Sequence, residues 1–244
     1  MTAKKFGIVL CIGLMSLCVR AADRTWTGGG GNANWSTPAN WGGTVPTTND
    51  TLSFSGTTQL ASTNDLPDDT PFAGITFSSD AGAFTLSGKR IVLVGNVTNL
   101  STSASAQTIN LDMSLPETRV FYGSFSNGAI KINGALSGAG GLTKAGSQPL
   151  TLAASNSYDG VTTVNDGMLW ITHGNALGST NGNTVLNSKT TGGFLQLSGN
   201  IIVPEPLTLF GQCPTGGGAE RSLSSLFNLS GSNTWSGAIF RQSD

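Results

Sequence analysis

The chain has 244 residues, of which 38% are hydrophobic and only 10% are charged, and its formal net charge is −1 at pH 7. Soluble domains usually carry about 25% charged residues, so Ser, Thr, Asn and backbone groups must cover much of this surface. The few basic residues argue against a nucleic-acid partner and against an anionic membrane surface, since both require clustered Lys and Arg.

The N-terminus has the pattern of a secretory signal peptide. Lys4 and Lys5 precede an apolar stretch over residues 6–17, and Val19-Arg20-Ala21 follows as a V-x-A cleavage site. The apolar stretch is too short to span a bilayer. We therefore predict a signal peptide over residues 1–21 and a secreted or cell-surface protein.

The positions of the cysteines indicate that the mature protein is stabilised by packing and not by an intramolecular disulfide. Cys11 and Cys18 lie in the predicted leader, so the mature chain keeps only Cys213 and has no partner for an intramolecular disulfide. An acylated Cys18 is the less favoured alternative, because Leu17 stands where a lipoprotein signal usually has a small residue.

Residues 22–50 are rich in tryptophan and glycine and are predicted to form an N-terminal cap. Trp26, Trp35 and Trp41 lie close together here, and large rings would shield the uncovered end of a stacked structure. The alternative is that the three rings form a platform on which sugar rings stack. The glycine run at residues 28–31 lacks the Lys-Ser/Thr of a phosphate-binding loop, so we expect a turn there and no nucleotide.

From residue 51 onward, the chain repeats a short strand pattern: apolar, any residue, apolar, Ser or Asn, then Gly. Strand side chains alternate between faces, so each copy directs two apolar residues to one side before the glycine turns the backbone. Such strands must stack on one another to bury that side, which predicts a solenoid. No helical stripe is visible, and the fold class is all-β. The copies are Leu52-Ser-Phe-Ser-Gly56, Phe84-Thr-Leu-Ser-Gly88, Ile130-Lys-Ile-Asn-Gly134, Leu195-Gln-Leu-Ser-Gly199 and Phe227-Asn-Leu-Ser-Gly231.

The most specific motif lies at about residues 141–171. It contains Gly141-Leu-Thr-Lys144, Leu150-Thr-Leu152, Asn156-Ser-Tyr158-Asp-Gly160, Thr162-Thr-Val164 and Gly167-Met-Leu169. This motif closely resembles the autotransporter-associated β-strand repeat, also called the passenger-associated transport repeat. A weaker copy is predicted at about residues 226–240, where Leu229, Asn233, Trp235 and Gly237 correspond to Leu152, Asn156, Tyr158 and Gly160.

The resemblance implies a right-handed parallel β-helix in a bacterial passenger at the cell surface, associated with the outer membrane. It also implies that the repeats help secretion and extracellular folding. In such a coil, residues 51–244 would form the turns of the helix. We expect one inward pair per strand: Leu150 with Leu152, Val161 with Val164, and Leu169 with Ile171.

Candidate chemical groups are few. His173 is the only histidine, and nothing in its surroundings specifically supports a Ser-His-Asp triad or a zinc site. Asp65, Asp68 and Asp69 offer oxygen ligands for Ca²⁺, but their spacing matches neither an EF-hand loop nor the Gly-Gly-x-Gly-x-Asp pattern of calcium-binding solenoids, which favours a solvated acidic loop. We therefore assign no catalytic, cofactor-binding or metal-binding residue and expect no cofactor.

These observations favour an exported, non-catalytic β-helical passenger or surface scaffold that serves structural display or adhesion. One alternative is a carbohydrate-binding surface module that uses Trp26, Trp35 and Trp41. A β-helical polysaccharide lyase or hydrolase is less favoured, because it needs carboxylates gathered on one face. Expected partners are a surface glycan or another cell-surface molecule, together with a second copy of the chain that pairs with an open C-terminal turn.

Overall fold

The computed structural model describes residues 21–123, 128–187, 192–210 and 226–242; all but the last residue of the predicted signal peptide, and Cys213, lie outside these ranges. The described residues form 22 strands and one short 3-10 helix over Pro38–Trp41. None of their helices is long and apolar enough to cross a membrane. In chain order, the strands are β1 (Asp23–Trp26), β2 (Thr51–Phe54), β3 (Ala61–Asn64), β4 (Thr70–Phe77), β5 (Thr85–Gly88), β6 (Ile91–Asn99), β7 (Gln107–Ile109), β8 (Met113–Ser114), β9 (Arg119–Gly123), β10 (Ile130–Ile132), β11 (Leu136–Ser137), β12 (Leu142–Ala145), β13 (Leu150–Leu152), β14 (Thr162–Val164), β15 (Gly167–Ile171), β16 (Thr184–Asn187), β17 (Gly193–Ser198), β18 (Ile202–Val203), β19 (Leu207–Phe210), β20 (Leu226–Ser230), β21 (Thr234–Trp235) and β22 (Ile239–Gln242).

Every pair of named strands in the described structure is parallel, and the pairs build two long sheets. The larger sheet, sheet A, runs in the order β1-β2-β4-β6-β9-β12-β14-β16-β19-β22, with β8 and β11 beside that path. The second, sheet B, runs β20-β17-β15-β13-β10-β7-β5-β3, and β18 pairs with β21 alone. Since the chain alternates between the sheets while moving along both, it forms a β-solenoid. The predicted all-β, β-helical fold is confirmed.

The core of the solenoid consists of aliphatic ladders that run from turn to turn. Leu150 of β13 pairs with Leu169 of β15, and Leu152 pairs with Ile171; all four side chains are buried. Burial of one such side chain contributes about 1.5–3 kcal/mol. The parallel register is therefore fixed by the inward pairs, because a slip of one residue would expose an entire ladder.

One predicted inward residue is wrong. Val161 is 41% exposed, whereas Thr162 and Val164 are fully buried. Residues on one face of a strand are two positions apart, so residues 161 and 164 cannot share a face. The apolar character of Val161 was misleading, and the inward position belongs to the polar Thr162.

A glycine ends each copy of the short strand pattern. One copy needs it because the backbone has a positive φ, and another because a side chain would collide with the neighbouring turn. Gly88 has φ +110°, a region that side chains disfavour. Gly134 instead lies under its neighbouring turn, where an added Cβ would stand 1.9 Å from the carbonyl oxygen of Leu111. The pattern therefore marks places where one turn passes closely over the next.

Candidate functional site

The motif at residues 141–171 spans two successive turns of the solenoid. Strands β12 and β13 belong to the first turn, and β14 and β15 belong to the second. The alternating side chains of these strands are buried, and the intervening positions face outward. The motif thus contains strands from two adjacent turns, and the second turn stacks on the first.

Lys144 fastens these two turns together from inside the solenoid. It is 1% exposed, and its ammonium group donates to the carbonyls of Ala145, Gly146 and Asp166 at 3.1, 2.5 and 2.8 Å. Burial lowers the pKa of Lys144 to about 8, against the opposing effect of the Asp166 charge. The sequence identified Lys144 as part of the motif but did not predict its burial.

Asn156 connects three successive turns. Its Oδ1 accepts a hydrogen bond from the backbone N–H of Leu136 at 2.8 Å, and its Nδ2 donates to the carbonyl of Ala176 at 2.6 Å. Nearby, the hydroxyl of the fully buried Tyr158 lies 2.6 Å from the hydroxyl of Thr162. Burial raises the pKa of Tyr158. The polar residues of the motif therefore satisfy backbone groups between turns.

The weaker C-terminal copy repeats one of these contacts. Oδ1 of Asn233 accepts from the backbone N–H of Ile201 at 2.9 Å, as Oδ1 of Asn156 accepts from Leu136. The other side of Asn233 differs, because its Nδ2 bonds within its own turn to Asn228 and Ser230. Asn233 thus bonds to the preceding turn and to its own turn, whereas Asn156 bonds to both neighbouring turns.

The tryptophan-rich segment packs into an aromatic cluster at the N-terminal end. Trp26, Trp35 and Trp41 are at most 4% exposed. The rings of Trp26 and Trp41 lie edge to face with centroids 5.1 Å apart, and Trp41 meets Trp35 in the same way at 5.9 Å. Phe54 of β2 contacts all three rings. Sugar stacking requires an exposed ring face, and these rings offer none in this fold, so their packing favours the cap.

Polar contacts hold the cap in place. The buried carboxylate of Asp50 receives Nε of Arg24 at 2.8 Å and the backbone N–H groups of Ala22 and Thr47. Burial acts to raise the pKa of Asp50, but these hydrogen bonds hold it below its usual value. Within the glycine run, the N–H of Gly30 donates to the Asn40 side chain. The glycine run is therefore held by a hydrogen bond within the cap.

The remaining predicted chemical groups lie apart and have local partners. Asp65 accepts from Ser36, whose hydrogen bonds outweigh burial and keep the pKa of Asp65 low. Asp69 instead forms an exposed ion pair with Arg90. His173 is exposed, and its Nδ1 accepts from the N–H of Asn175 at 3.1 Å. Within the described ranges, no three His, Cys, Asp or Glu side chains are grouped so that they could hold a metal.

Sequence reasoning missed a buried carboxyl group near the C-terminal end. Glu205 is 3% exposed, and its Oε1 has no hydrogen-bond partner. Burial raises the pKa of Glu205 to about 7. Alternation offered a signal, because Glu205 lies two residues from Val203 and two from Leu207, and both are buried.

The last described turn exposes side chains that occupy inward positions. Ile239 of β22 pairs with the buried Leu207, yet it is 51% exposed. Phe240 lies in the outward row with Thr208 and is 56% exposed, and Leu229, at the irregularity between β17 and β20, is 51% exposed. Strands β20 and β22 lie at the ends of their sheets, so the described structure leaves an apolar, hydrogen-bonding edge there.

Comparison with known families identifies the central motif. Residues 142–171 match the model of the Passenger-associated-transport-repeat, which confirms the resemblance. No curated protein and no solved structure matches the chain. The repeat and the β-solenoid together fit an autotransporter passenger-type scaffold and suggest a secreted or cell-surface protein.

Proposed function

We propose that this protein is an exported, non-catalytic β-solenoid scaffold that serves display or adhesion at the cell surface, associated with the outer membrane. Its repeats aid secretion and extracellular folding. The observation that carries this proposal is the use of the repeat's polar residues. Lys144 donates one hydrogen bond to a backbone carbonyl of the next turn, and Asn156 bonds to backbone groups of both neighbouring turns, which supports a role in assembling the stack.

The distribution of buried ionisable groups also supports a non-catalytic role. Asp50 belongs to the N-terminal cap, Lys144 to the central repeat, and Glu205 to the region before β19. Polysaccharide hydrolysis needs two carboxyl groups that face one another across the substrate. These three groups instead lie on different turns, and the first two have structural partners.

Export is tested by expressing the full chain with its own leader in a bacterial host. We expect wild-type protein outside the cytoplasm and sensitive to protease added to intact cells. Leu152→Asp buries a charge in the core and should be degraded, whereas Thr151→Asp changes the adjacent outward side chain and should be exported. Wild-type protein confined to the cytoplasm would refute the proposal.

The absence of catalysis is tested separately. Purified protein is incubated with neutral and acidic polysaccharides, and new reducing ends and unsaturated products are measured. We expect the same background as from the heat-denatured protein. Product release that stops when one carboxyl group is neutralised, for example in Glu205→Gln, would establish an enzyme and contradict the scaffold.

We also propose that two copies associate through their C-terminal turns. The exposed inward positions support this contact, and the aromatic cap covers the opposite end, which favours pairing of two like faces over continuous growth. Analytical ultracentrifugation should show a dimer that Ile239→Asp disrupts. Leu100→Asp is the control, since Leu100 is exposed on a different turn. A monodisperse wild-type monomer at high concentration would overturn this contact.

A further inference from the structure

An aromatic surface lies on the outer side of sheet B. Met168 and Trp170 of β15 and Phe194 and Gln196 of β17 alternate with buried residues. Phe227 of β20 pairs with Gln196 and lies in the same outward row. We call this set the aromatic face. Its side chains lie outside the aliphatic ladders of the interior.

The parallel register determines how these side chains are spaced. Trp170 pairs with Gln196, and Gln196 pairs with Phe227. Met168 pairs with Phe194. Neighbouring strands lie about 4.8 Å apart, so Trp170 and Phe227 stand about 10 Å apart with an amide side chain between them. Rings and a hydrogen-bonding group therefore alternate along the solenoid axis.

Contacts within the face restrict its rings. The indole N–H of Trp170 donates to the hydroxyl of Ser198 at 2.9 Å, which fixes the ring relative to β17. The rings of Phe194 and Phe227 have centroids 5.9 Å apart. Restricted rings lose less conformational entropy when a ligand binds than mobile side chains do.

The face is uncharged. Among the described residues, no outward position of β13, β15, β17 or β20 carries an ionisable side chain. In the row that contains Thr151 and Trp170, the first charged side chain is that of Lys131 on β10. Partly exposed rings beside amide and hydroxyl groups match a ligand with apolar ring faces and neutral polar edges.

We propose that the aromatic face binds a neutral polysaccharide. Sugar rings would stack on Trp170 and on the Phe194–Phe227 pair, and their hydroxyl groups would bond to the amide group of Gln196, since the hydroxyl of Ser198 is buried against Trp170. This site goes beyond the scaffold function and differs from the N-terminal tryptophans, whose rings are buried. The neutral surface supplies no charge to attract an acidic polysaccharide.

The test is affinity electrophoresis of the purified full chain in gels that contain dextran, laminarin or hydroxyethyl cellulose. Carboxymethyl cellulose serves as the anionic counterpart. We expect at least one neutral polymer to retard the wild-type protein. Phe194→Ala and Gln196→Ala should each weaken binding, with about a tenfold loss for the aromatic substitution.

Controls separate this site from the fold and from self-association. Tyr122→Ala removes an outward aromatic ring from sheet A and should leave binding unchanged. Ile239→Asp should also bind normally, because its position lies on sheet A. Thermal melting verifies that each variant is folded, and Trp170→Phe should reduce the change in tryptophan fluorescence on binding.

Three outcomes would overturn the proposal. One is the absence of retardation by all three neutral polymers. Another is equal retardation of the wild-type protein, Phe194→Ala and Gln196→Ala. A third is loss of retardation in Ile239→Asp, which would assign the interaction to the contact between copies.

Discussion

The ammonium group of Lys144 donates a 2.8 Å hydrogen bond to the backbone carbonyl of Asp166, which belongs to the next turn of the solenoid. Two further bonds to the carbonyls of Ala145 and Gly146 complete its coordination. A cation buried in this way joins two turns at a place where the chain leaves sheet A. It also makes the stability of the repeat sensitive to substitution and to pH.

Truncation of Lys144 should destabilise the protein. Lys144→Ala leaves three carbonyls without this donor and removes a packed aliphatic stem, and we expect a loss of about 1–3 kcal/mol in the free energy of unfolding. Lys131→Ala is the matched control, since Lys131 is exposed. Urea denaturation measures both. Equal effects of the two substitutions would contradict the role assigned to Lys144.

The same residue predicts a rise in stability at alkaline pH. The pKa of Lys144 is lowered from 10.5 to about 8 by burial, so the unfolded chain binds more protons between these values. Stability should therefore increase with pH through this window, by up to about 1.4 kcal/mol per pH unit. Denaturation of wild type and Lys144→Met at pH values from about 8 to 9.5 isolates this contribution. A constant difference between the two proteins would refute it.

Glu205 predicts the opposite dependence at lower pH. Its pKa is raised from 4.5 to about 7 by burial, so the folded chain retains a proton that the unfolded chain releases. Stability should fall as the pH rises through this window. Glu205→Gln should therefore be about 1–3 kcal/mol more stable than wild type above neutral pH and similar to it in acid. Thermal melting across the pH range measures this, and Glu117→Gln, at an exposed side chain, should show no such gain.

Trp35 should be required for folding rather than for ligand binding. Its buried ring contacts Trp41, Phe54 and Phe72, and its N–H donates to Ser62. Trp35→Ala leaves a large cavity and should cost about 3–5 kcal/mol. Trp170→Ala, on an outer face, should cost much less. Comparable losses measured by chemical denaturation would place Trp170 in the core and weaken the proposal for the aromatic face.

The local strand pattern was predictable because alternation is a property of the backbone. Leu150, Leu152, Leu169 and Ile171 are inward as expected. Val161 was not predicted correctly, because its apolar character was given more weight than its position relative to Val164. Thr162 lies two residues before Val164 and therefore shares its inward face. The hydroxyl group of Tyr158 gives the buried hydroxyl of Thr162 a hydrogen-bond partner.

The candidate sites were less predictable, because they depend on contacts between residues far apart in the chain. The buried state of Asp50 requires Arg24 and Thr47 to converge on it. The aromatic face requires Trp170, Phe194 and Phe227 to lie on successive turns in one register. A single strand pattern predicts neither the length of each connection nor the alignment of the turns.

The amino-acid sequence by itself determined the repeating unit: short strands with two inward apolar residues, glycines at close approaches, and a motif that stacks turn on turn. These features follow from strand geometry and need only neighbouring residues. The tertiary structure alone decided that Lys144 and Glu205 are buried, that the N-terminal tryptophans face inward, and that other aromatic rings face outward. Burial depends on which turn covers which side chain, and that is a property of the whole stack.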